Sequence, residues 1–448
     1  MSGEFTKAAR LHLGLGPATM ARPASAFDFE ARPMDRPLRL AVCLLWISTG
    51  MARGGELPRV EPGAVGLSAA KLAGLKPSLE KLVADGKIAG GVALIARHGK
   101  VAYAEAFGFR DLASKAPMAE NTIFAIASMT KPITCVAAMT LVERGKLGLD
   151  DPASKYLPEF EDLKVLGEAK DDTPGGPSTV ALARAVTIRD LLTHTSGIAY
   201  GGILSADPRL GRAYEAAGVQ DRDLRTIGEK VARIATVPLA HQPGARWTYG
   251  MGHDVIGRIV EVASGRRFDE YLEQTIFRPL GLIDTGFAVP EGKRGRVATI
   301  YRTGVFGGPL IPLPANYGSE TMFAGGSGLF STARDYARFA QMLLNGGEFE
   351  GTRILKGETL ALMTTNQIGD LAVFGMFKYG LGFGLEMGEA PGGEPSLNRY
   401  FWGGFFSTNF WVEPRRDLFA VVLTQVVPTN HGGTLLVVRR AIDGAIVD

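Results

Sequence analysis

Two kinds of hydrophobic pattern alternate along the chain, and the first of them predicts helices. Apolar side chains at helical spacing follow Ser68, a good cap residue, and Gly86 can end the helix that they indicate. The members of this stripe are Leu72, Leu75, Leu79, Leu82 and Val83. Similar patterns predict helices over residues 255–263, 269–276, 333–344 and 434–446.

The second pattern, runs rich in β-forming residues, predicts strands near both ends of the chain. Residues 91–97 and 101–109 flank a three-residue turn segment, and residues 409–412 and 418–423 flank a segment that begins with Pro414. Short turn segments between such runs indicate β-hairpins. We therefore expect an antiparallel sheet to which both ends of the chain contribute.

The middle of the chain is poorer in strand signals and richer in helical patterns. The simplest architecture is one α/β domain built from residues 53–146 and 323–448, with a mostly helical domain, residues 147–322, inserted between them. The predicted fold class is α+β, an antiparallel sheet flanked by helices.

The first 52 residues carry an export pattern. Basic residues precede the apolar run 40–47, and Gly50-Met51-Ala52 is typical of a signal-peptide cleavage site. An export signal begins near the initiator, so we expect translation to start at Met34; the alternative is a hydrophobic stretch in a disordered leader. If translation starts at Met34 and the signal is cleaved, the protein is periplasmic or secreted. Without such a signal it is cytoplasmic. The run is too short to span a bilayer, so we expect no stable membrane insertion.

Composition narrows the classes of function. The chain has 448 residues, 46% of them hydrophobic and 21% charged, so it can bury a large core. Its formal net charge of +3 is spread without long runs, which argues against nucleic-acid binding and favours a small-molecule substrate. The two cysteines, Cys43 and Cys135, allow no disulfide framework, and no His or Cys spacing matches a metal site. We expect neither a metal nor a cofactor, and the sequence leaves the oligomeric state open.

Ser128-Met129-Thr130-Lys131 is the most informative candidate for chemistry. It lies just before an apolar helical stretch, and three residues are about one helical turn, so the hydroxyl and the amine share a face. A serine hydroxyl becomes a good nucleophile only when a nearby base accepts its proton, and a partly desolvated lysine can be that base. The alternative is an ordinary solvated helix start.

Three further segments occur after this tetrapeptide. They are Leu191-Leu192-Thr193-His194-Thr195-Ser196-Gly197, Pro243-Gly244-Ala245-Arg246-Trp247-Thr248-Tyr249-Gly250, and Trp402-Gly403-Gly404. In this order the four motifs resemble the serine β-lactamase and penicillin-binding-protein superfamily, and within it the class C β-lactamase-like carboxylesterases of family VIII. The likeness runs from about Leu67 to the C-terminus. It implies a β-lactamase-like fold, which agrees with the architecture predicted above.

The resemblance implies roles for three side chains. Ser128 is the nucleophile that becomes acylated, and Lys131 takes or relays its proton. Tyr249 occupies the position of the family's tyrosine, a phenol with an ordinary pKa near 10 that needs a nearby cation to act as a base. Whether Lys131 or Tyr249 is the base stays open at this point.

The Trp402-Gly403-Gly404 segment resembles the family's motif at the edge of the sheet. The resemblance implies that Trp402, Gly403 and Gly404 bind substrate, and that the backbone amides of Ser128 and Phe405 form an oxyanion hole. Aromatic residues cluster around this motif, and we expect one or two of them to face the substrate. They are Phe374, Phe377, Tyr379, Phe401, Phe405 and Phe406.

Two departures from the family pattern favour an esterase. Penicillin-recognising enzymes usually have a lysine where this chain has Trp402, and an asparagine is common where it has Met251. An indole suits a neutral ester better than an anion. We therefore predict hydrolysis of small or short-chain carboxylic esters. The alternatives are a β-lactamase or D-amino-acid peptidase acting at the same site, and a non-catalytic binding protein with the same fold.

Two other segments attract attention without fitting a catalytic motif. Gly325-Gly326-Ser327-Gly328 begins like the G-x-S-x-G elbow of lipases, but its fifth residue is Leu329, so we interpret it as a turn before the helix over 333–344. His194 suggests a Ser-His-Asp triad. In the resembled family this segment is a structural turn after a helix.

Overall fold

The computed structural model describes residues 56–168, 178–201, 207–221, 223–304, 307–389, 395–428 and 431–447. The predicted leader, residues 1–52, lies outside these ranges, and its export function stays a prediction. None of the described helices is both long and apolar enough to cross a membrane.

The strands are short outside one large sheet. In chain order they are β1 (Gly90–Arg97), β2 (Lys100–Asp111), β3 (Ala116–Pro117), β4 (Phe124–Ala125), β5 (Lys164–Leu166), β6 (Thr179–Ala181), β7 (Tyr301–Arg302), β8 (Ile311–Pro312), β9 (Phe330–Ser331), β10 (Glu348–Phe349), β11 (Thr352–Arg353), β12 (Lys378–Tyr379), β13 (Gly384–Glu389), β14 (Pro395–Gly404), β15 (Thr408–Glu413), β16 (Leu418–Thr424) and β17 (Val426–Val427).

Some of the α-helices pack on this sheet, and others belong to the stretch of sequence between its N-terminal and C-terminal strands. In order they are α1 (Ala69–Leu72), α2 (Leu75–Ala84), α3 (Thr130–Glu143), α4 (Ile188–Thr193), α5 (Pro208–Ala216), α6 (Ile227–Ala235), α7 (Gly252–Ser264), α8 (Phe268–Leu272), α9 (Arg278–Leu280), α10 (Ala333–Leu344), α11 (Gly357–Met363) and α12 (His431–Ala445). A π-helical turn, Glu273–Phe277, joins α8 to α9.

The large sheet has eight strands in the order β12-β13-β14-β15-β16-β1-β2-β3. Both predicted hairpins are confirmed, as the antiparallel pairs β1–β2 and β15–β16. β1 also pairs antiparallel with β16, from Gly91 opposite Thr424 to Arg97 opposite Leu418, so the two ends of the chain meet at the centre of the sheet. The predicted α+β class is therefore confirmed.

The two faces of the sheet are covered by different helices. Alternate residues of a strand point to opposite faces. Along β1, Ala93 and Ile95 pack in the apolar cluster of α1, α2 and α12, whereas Val92 and Leu94 belong to the larger core that includes α3 and α10. Every residue of β1 is buried, as expected for a strand covered on both faces.

The helix predicted after Ser68 is two helices. Ser68 caps α1, and a second helix, α2, begins at Leu75, so the continuous helix was wrong. Proline lacks an N–H and disturbs a helix interior but is tolerated in a first turn. The break at Ala73 and Gly74 puts Pro77 in the first turn of α2, and the leucine stripe still packs on the sheet.

The segment between the two halves of the sheet contains α4 to α9 and the short strands β5 to β8. Its mostly helical character agrees with the sequence pattern. The division into a 53–146 and 323–448 domain and an inserted 147–322 domain stays a prediction.

A buried carboxyl in the first turn of α10 makes stability depend on pH. Asp335 Oδ2 accepts hydrogen bonds from the amide of Asp284 at 2.7 Å and the hydroxyl of Thr285 at 2.9 Å, and Oδ1 has no hydrogen-bond partner. Burial raises the pKa of Asp335 to about 6. The folded protein thus binds this proton more tightly than the unfolded chain, so its contribution to stability falls as the pH rises from about 4 to about 6.

We expect Asp335→Asn to remove this contribution. The difference in the free energy of unfolding, variant minus parent, should be larger at pH 7 than at pH 4 by roughly 2–3 kcal/mol. Urea unfolding at both pH values measures it, with the exposed carboxylate variant Glu80→Gln as control. A difference that does not change with pH would contradict the expectation.

Candidate active site

Ser128 lies on a single 3₁₀ turn, Ala127–Met129, between β4 and α3. Ala127 has a φ of 44°, in the left-handed region that residues with a side chain rarely adopt. Such strain persists only where the surrounding structure enforces it, and it is common at functional sites. The turn leaves Ser128 largely buried but in the wall of a cavity.

Lys131 lies in the first turn of α3 with a fully buried side chain. Its Nζ donates to Ser128 Oγ at 3.1 Å, to the hydroxyl of Tyr200 at 3.2 Å and to the carbonyl oxygen of Gly326 at 2.8 Å. An ammonium has three N–H donors. Each of them therefore has an acceptor, which is the arrangement that a buried cation needs.

The charge state of Lys131 follows from these neighbours. Burial acts to lower the pKa of Lys131, but the phenols of Tyr200 and Tyr249 outweigh it and raise the pKa above its ordinary value. The raised pKa favours the ammonium form of Lys131, in which Nζ has no lone pair with which to accept a proton.

Tyr249 completes the group that the sequence predicted. Its hydroxyl donates to Ser128 Oγ at 2.7 Å, and Lys131 Nζ lies 4.7 Å from the centre of its ring. The tertiary structure therefore brings Ser128, Lys131 and Tyr249 within reach of one another, although Tyr249 lies 121 residues after the serine.

His194 supports Tyr249 from behind instead of contacting the nucleophile. It ends α4 in a left-handed conformation, its carbonyl oxygen accepts from the amide of Thr248, and its Nδ1 accepts from the amide of Gly250 at 3.4 Å. Its ring packs edge-on against the ring of Tyr249, with the two ring centroids 4.8 Å apart. Burial lowers the pKa of His194 and of the neighbouring His253 well below the ordinary value, so both are neutral.

Trp402 lies behind Tyr249 as well. Only 6% of its surface is exposed, and its ring centroid is 5.6 Å from that of Tyr249 and 5.2 Å from that of Tyr379. Trp402, Gly403 and Gly404 are not among the residues that line the cavity at Ser128. Their direct contact with substrate stays a prediction, and the visible role of Trp402 is to support Tyr249.

Gly404 brings the end of β14 against the Ser128 turn. A Cβ at this position would lie 2.3 Å from the carbonyl oxygen of Ile126, so only glycine permits this approach. The hydroxyl of Thr408 donates to the same carbonyl at 3.1 Å. Phe405 follows directly and lines the cavity together with Ser128. An oxyanion hole formed by their two backbone amides stays a prediction.

The cavity at Ser128 has a volume of about 520 Å³, and none of the described residues that line it has a charged side chain. Its polar side chains, besides Ser128 and Tyr249, are those of Tyr200, Gln220, Asn316, Ser319 and Ser327. The larger apolar ones are Met322, Leu329, Phe330, Phe405 and Phe406. Of the six clustered aromatic residues noted in the sequence, Phe405 and Phe406 line this cavity, and contact of either with substrate stays a prediction.

Sequence reasoning missed two acceptors of Lys131. Tyr200 lies three residues beyond the His194-Thr195-Ser196-Gly197 segment and has no motif of its own. Gly326 belongs to the segment predicted as a turn, here called the glycine turn (residues 324–329), and its carbonyl oxygen binds Lys131. That segment is a turn, as predicted, but it lies beside the nucleophile.

Tyr200→Phe removes one acceptor of the Lys131 ammonium and leaves Tyr249 in place. A typical hydrogen bond contributes about 1 kcal/mol, so we expect kcat/KM for an aryl ester to fall roughly 3- to 10-fold. Tyr156→Phe, which removes a phenol that donates to Asp151 and does not line this cavity, is the control. An unchanged kcat/KM in Tyr200→Phe would show that this contact is dispensable.

The arrangement can be compared with known proteins. A family model described as Beta-lactamase matches residues 75–442, which is most of the chain. The chain belongs to the beta-lactamase family. The resemblance stated from its motifs is confirmed, and the protein is an esterase-like serine hydrolase of this fold.

Relatives within the beta-lactamase family differ in activity. Esterase EstB of Burkholderia gladioli is 31% identical over 410 residues, covering 85% of this chain and 97% of EstB. A putative D-alanyl-D-alanine carboxypeptidase of Escherichia coli K12 is 30% identical over 308 residues, 63% of this chain and 66% of that protein. The solved structure of EstCE1, a hydrolase with promiscuous acyltransferase activity, superposes with a TM-score of 0.68 at 26% identity, covering 83% of this chain and 98% of that chain.

Proposed function

We propose that the protein hydrolyses small, uncharged carboxylic esters through an acyl-enzyme on Ser128. The observation that carries this proposal is a serine hydroxyl 2.7 Å from a phenol and 3.1 Å from a buried ammonium, in the wall of a cavity whose described lining residues are all uncharged. Similarity to EstB over nearly the full length of both chains supports the esterase activity.

Tyr249 is the general base in this proposal. Lys131 is held as an ammonium and cannot take a proton, whereas the oxygen of Tyr249 lies within hydrogen-bond distance of Ser128 Oγ. In the reactive form of the site the hydroxyl of Tyr249 has given up its proton to solvent. Lys131 then stabilises the negative charge left on this oxygen, and it orients Ser128 Oγ through its own hydrogen bond.

Acylation begins as Ser128 Oγ attacks the ester carbonyl carbon and its proton moves to the Tyr249 phenolate. The carbonyl oxygen becomes an oxyanion, which the backbone amides of Ser128 and Phe405 stabilise. The bond between this carbon and the alkoxy oxygen then breaks. The departing alkoxide takes the proton from Tyr249, which returns to the phenolate and leaves an ester on Ser128.

Deacylation repeats these steps with water. Tyr249 takes a proton from the water molecule as its oxygen attacks the acyl carbon, and the same two amides stabilise the second oxyanion. The bond from the acyl carbon to Ser128 Oγ breaks, and Oγ takes the proton back from Tyr249. The products are the free enzyme and a carboxylic acid, and the proposed steps use no metal or cofactor.

The neutral lining favours uncharged substrates. A carboxylate on the substrate would enter a partly apolar cavity whose described lining residues include no arginine or lysine, which is unfavourable for a charge. Short-chain aryl esters are suitable laboratory substrates because the cavity is large enough for both the acyl group and the ring.

Hydrolysis of β-lactams or D-amino-acid peptides is the second candidate, and similarity to the carboxypeptidase of Escherichia coli favours it. Both substrates carry a carboxylate, and the described lining residues of this cavity provide no cationic side chain to pair with it. Turnover of a short aryl ester measured beside that of a chromogenic cephalosporin separates the two. A higher kcat/KM for the cephalosporin would overturn the esterase proposal.

A further inference from the structure

The glycine turn is bound to one side of α3 by three hydrogen bonds. The hydroxyl of Thr134 donates to the carbonyl oxygen of Gly325 at 2.7 Å, Lys131 Nζ donates to that of Gly326 at 2.8 Å, and the amide of Leu329 donates to the hydroxyl of Thr130 at 3.1 Å. The position of the Lys131 ammonium therefore depends on how this turn is held.

The turn is also held from its other side, by α7. A Cβ on Gly325 would lie 2.4 Å from the carbonyl oxygen of His253, so the backbone of the turn lies directly against the first turn of this helix. Asp254 of the same helix accepts the amide of Gly326 on Oδ1 at 2.8 Å. One residue, Gly326, thus binds Asp254 through its N–H and Lys131 through its carbonyl oxygen.

Asp254 is buried, and its charge is balanced. Its Oδ2 accepts from Nζ of Lys230, on α6, at 2.8 Å, and 1% of Asp254 is exposed. Removing one partner of a buried ion pair leaves an uncompensated charge and is costly, whereas replacing both by uncharged residues is often tolerated. The pair contacts neither Ser128 nor Tyr249 in any described hydrogen bond, so the proposed chemistry leaves it without a role.

We propose that the Lys230–Asp254 pair is a positioning device for Lys131. Asp254 fixes Gly326, the carbonyl oxygen of Gly326 holds the ammonium of Lys131 against Ser128 and Tyr249, and Lys230 supplies the counter-charge that lets a carboxylate serve inside the protein. This inference rests on the proposed function, because it assigns the pair to activation of Ser128.

Two double variants test the inference without leaving a buried charge unpaired. Asp254→Asn with Lys230→Met keeps an oxygen that can accept from Gly326, and Asp254→Leu with Lys230→Met has nearly the same shape without it. A misplacement of about 1 Å in an active site can cost 100-fold. We expect labelling of Ser128 by a fluorophosphonate probe to slow roughly 10- to 100-fold in the leucine variant and by less than about threefold in the asparagine variant.

Two further readouts distinguish positioning from general destabilisation. In the leucine variant kcat should fall while KM stays within about threefold, and the alkaline limb of the kcat profile should move to lower pH, because a buried ammonium that loses its acceptor gives up its proton more easily. Glu413→Gln, which removes a buried carboxylate at the end of β15 that pairs with Arg399 and Arg416, is the control and should keep the labelling rate of the parent.

Gly326→Ala provides an independent perturbation if the leucine variant does not fold. Its Cβ would lie 3.1 Å from Asp254 Oδ1, so it displaces the turn while both charges remain, and labelling should slow by a similar factor. Equal labelling rates in the two double variants, or a parent rate in Gly326→Ala, would overturn this inference alone. A parent protein that the probe does not label would overturn the proposed function, and the inference with it.

Discussion

The Ser128→Ala variant is expected to lose roughly 10⁴- to 10⁶-fold in kcat for a short aryl ester, the largest effect of any single substitution in this protein. The methyl group of alanine cannot attack the carbonyl carbon, so no acyl-enzyme forms and the Tyr249–Lys131 pair has nothing to activate. What rate remains comes from binding and from the backbone amides. Steady-state kinetics measures the fall.

Covalent labelling by a fluorophosphonate probe reports the reactivity of Ser128 directly, and it does not require that the ester substrate be known. The parent should gain the mass of one fluorophosphonate group on a peptide that contains Ser128, and the variant should gain none. Ser78→Ala, which removes an exposed hydroxyl on α2, should keep the parent kcat. Ester turnover in Ser128→Ala at a rate near that of the parent would show that another group is the nucleophile.

Tyr249→Phe should have the second-largest effect, a fall in kcat of roughly 10²- to 10⁴-fold. The ring still packs against His194 and Trp402, so the site keeps its shape, but the oxygen that accepts the proton of Ser128 is gone. Lys131 cannot replace it, because its pKa is raised and it stays an ammonium at neutral pH. The measurement is kcat for the aryl ester between pH 6 and pH 10.

Tyr200→Phe is the matched comparison for this variant. Each substitution removes one phenol near Lys131, but only the hydroxyl of Tyr249 reaches Ser128 Oγ, at 2.7 Å. If the losses in the two variants were equal, Tyr249 would not be the base. A Lys131→Met variant more active than Tyr249→Phe would instead favour a route in which the phenol acts without the ammonium.

Local patterns predicted the framework of the sheet. The hairpins β1–β2 and β15–β16 follow from short turn segments between runs of β-forming residues, and α10 begins and ends at the residues that its periodicity indicated. Pairing and turn formation between neighbouring segments involve few residues, so a short stretch of sequence contains the necessary information. The helix after Ser68 was predicted less well, because Gly74 and Pro77 act against the leucine spacing.

The catalytic candidates were predictable to different degrees. Ser128 and Lys131 are three residues apart at a helix start, so helical geometry alone puts them on one face. Tyr249 was found only through the order of motifs that the chain shares with a family. Nothing in the spacing of residues 128 and 249 states that two side chains will meet at 2.7 Å.

The sequence by itself determined the candidate nucleophile, its neighbouring amine, the hairpins and the family, since each of these rests on residues close together in the chain or on motifs in a fixed order. Only the tertiary structure decided that Tyr200 and the carbonyl oxygen of Gly326 hold Lys131 as an ammonium, that Trp402 lies behind Tyr249, and that Asp254 holds the glycine turn. These contacts join segments up to 195 residues apart. They depend on how helices and turns pack together, and packing is a property of the whole core rather than of any short stretch of chain.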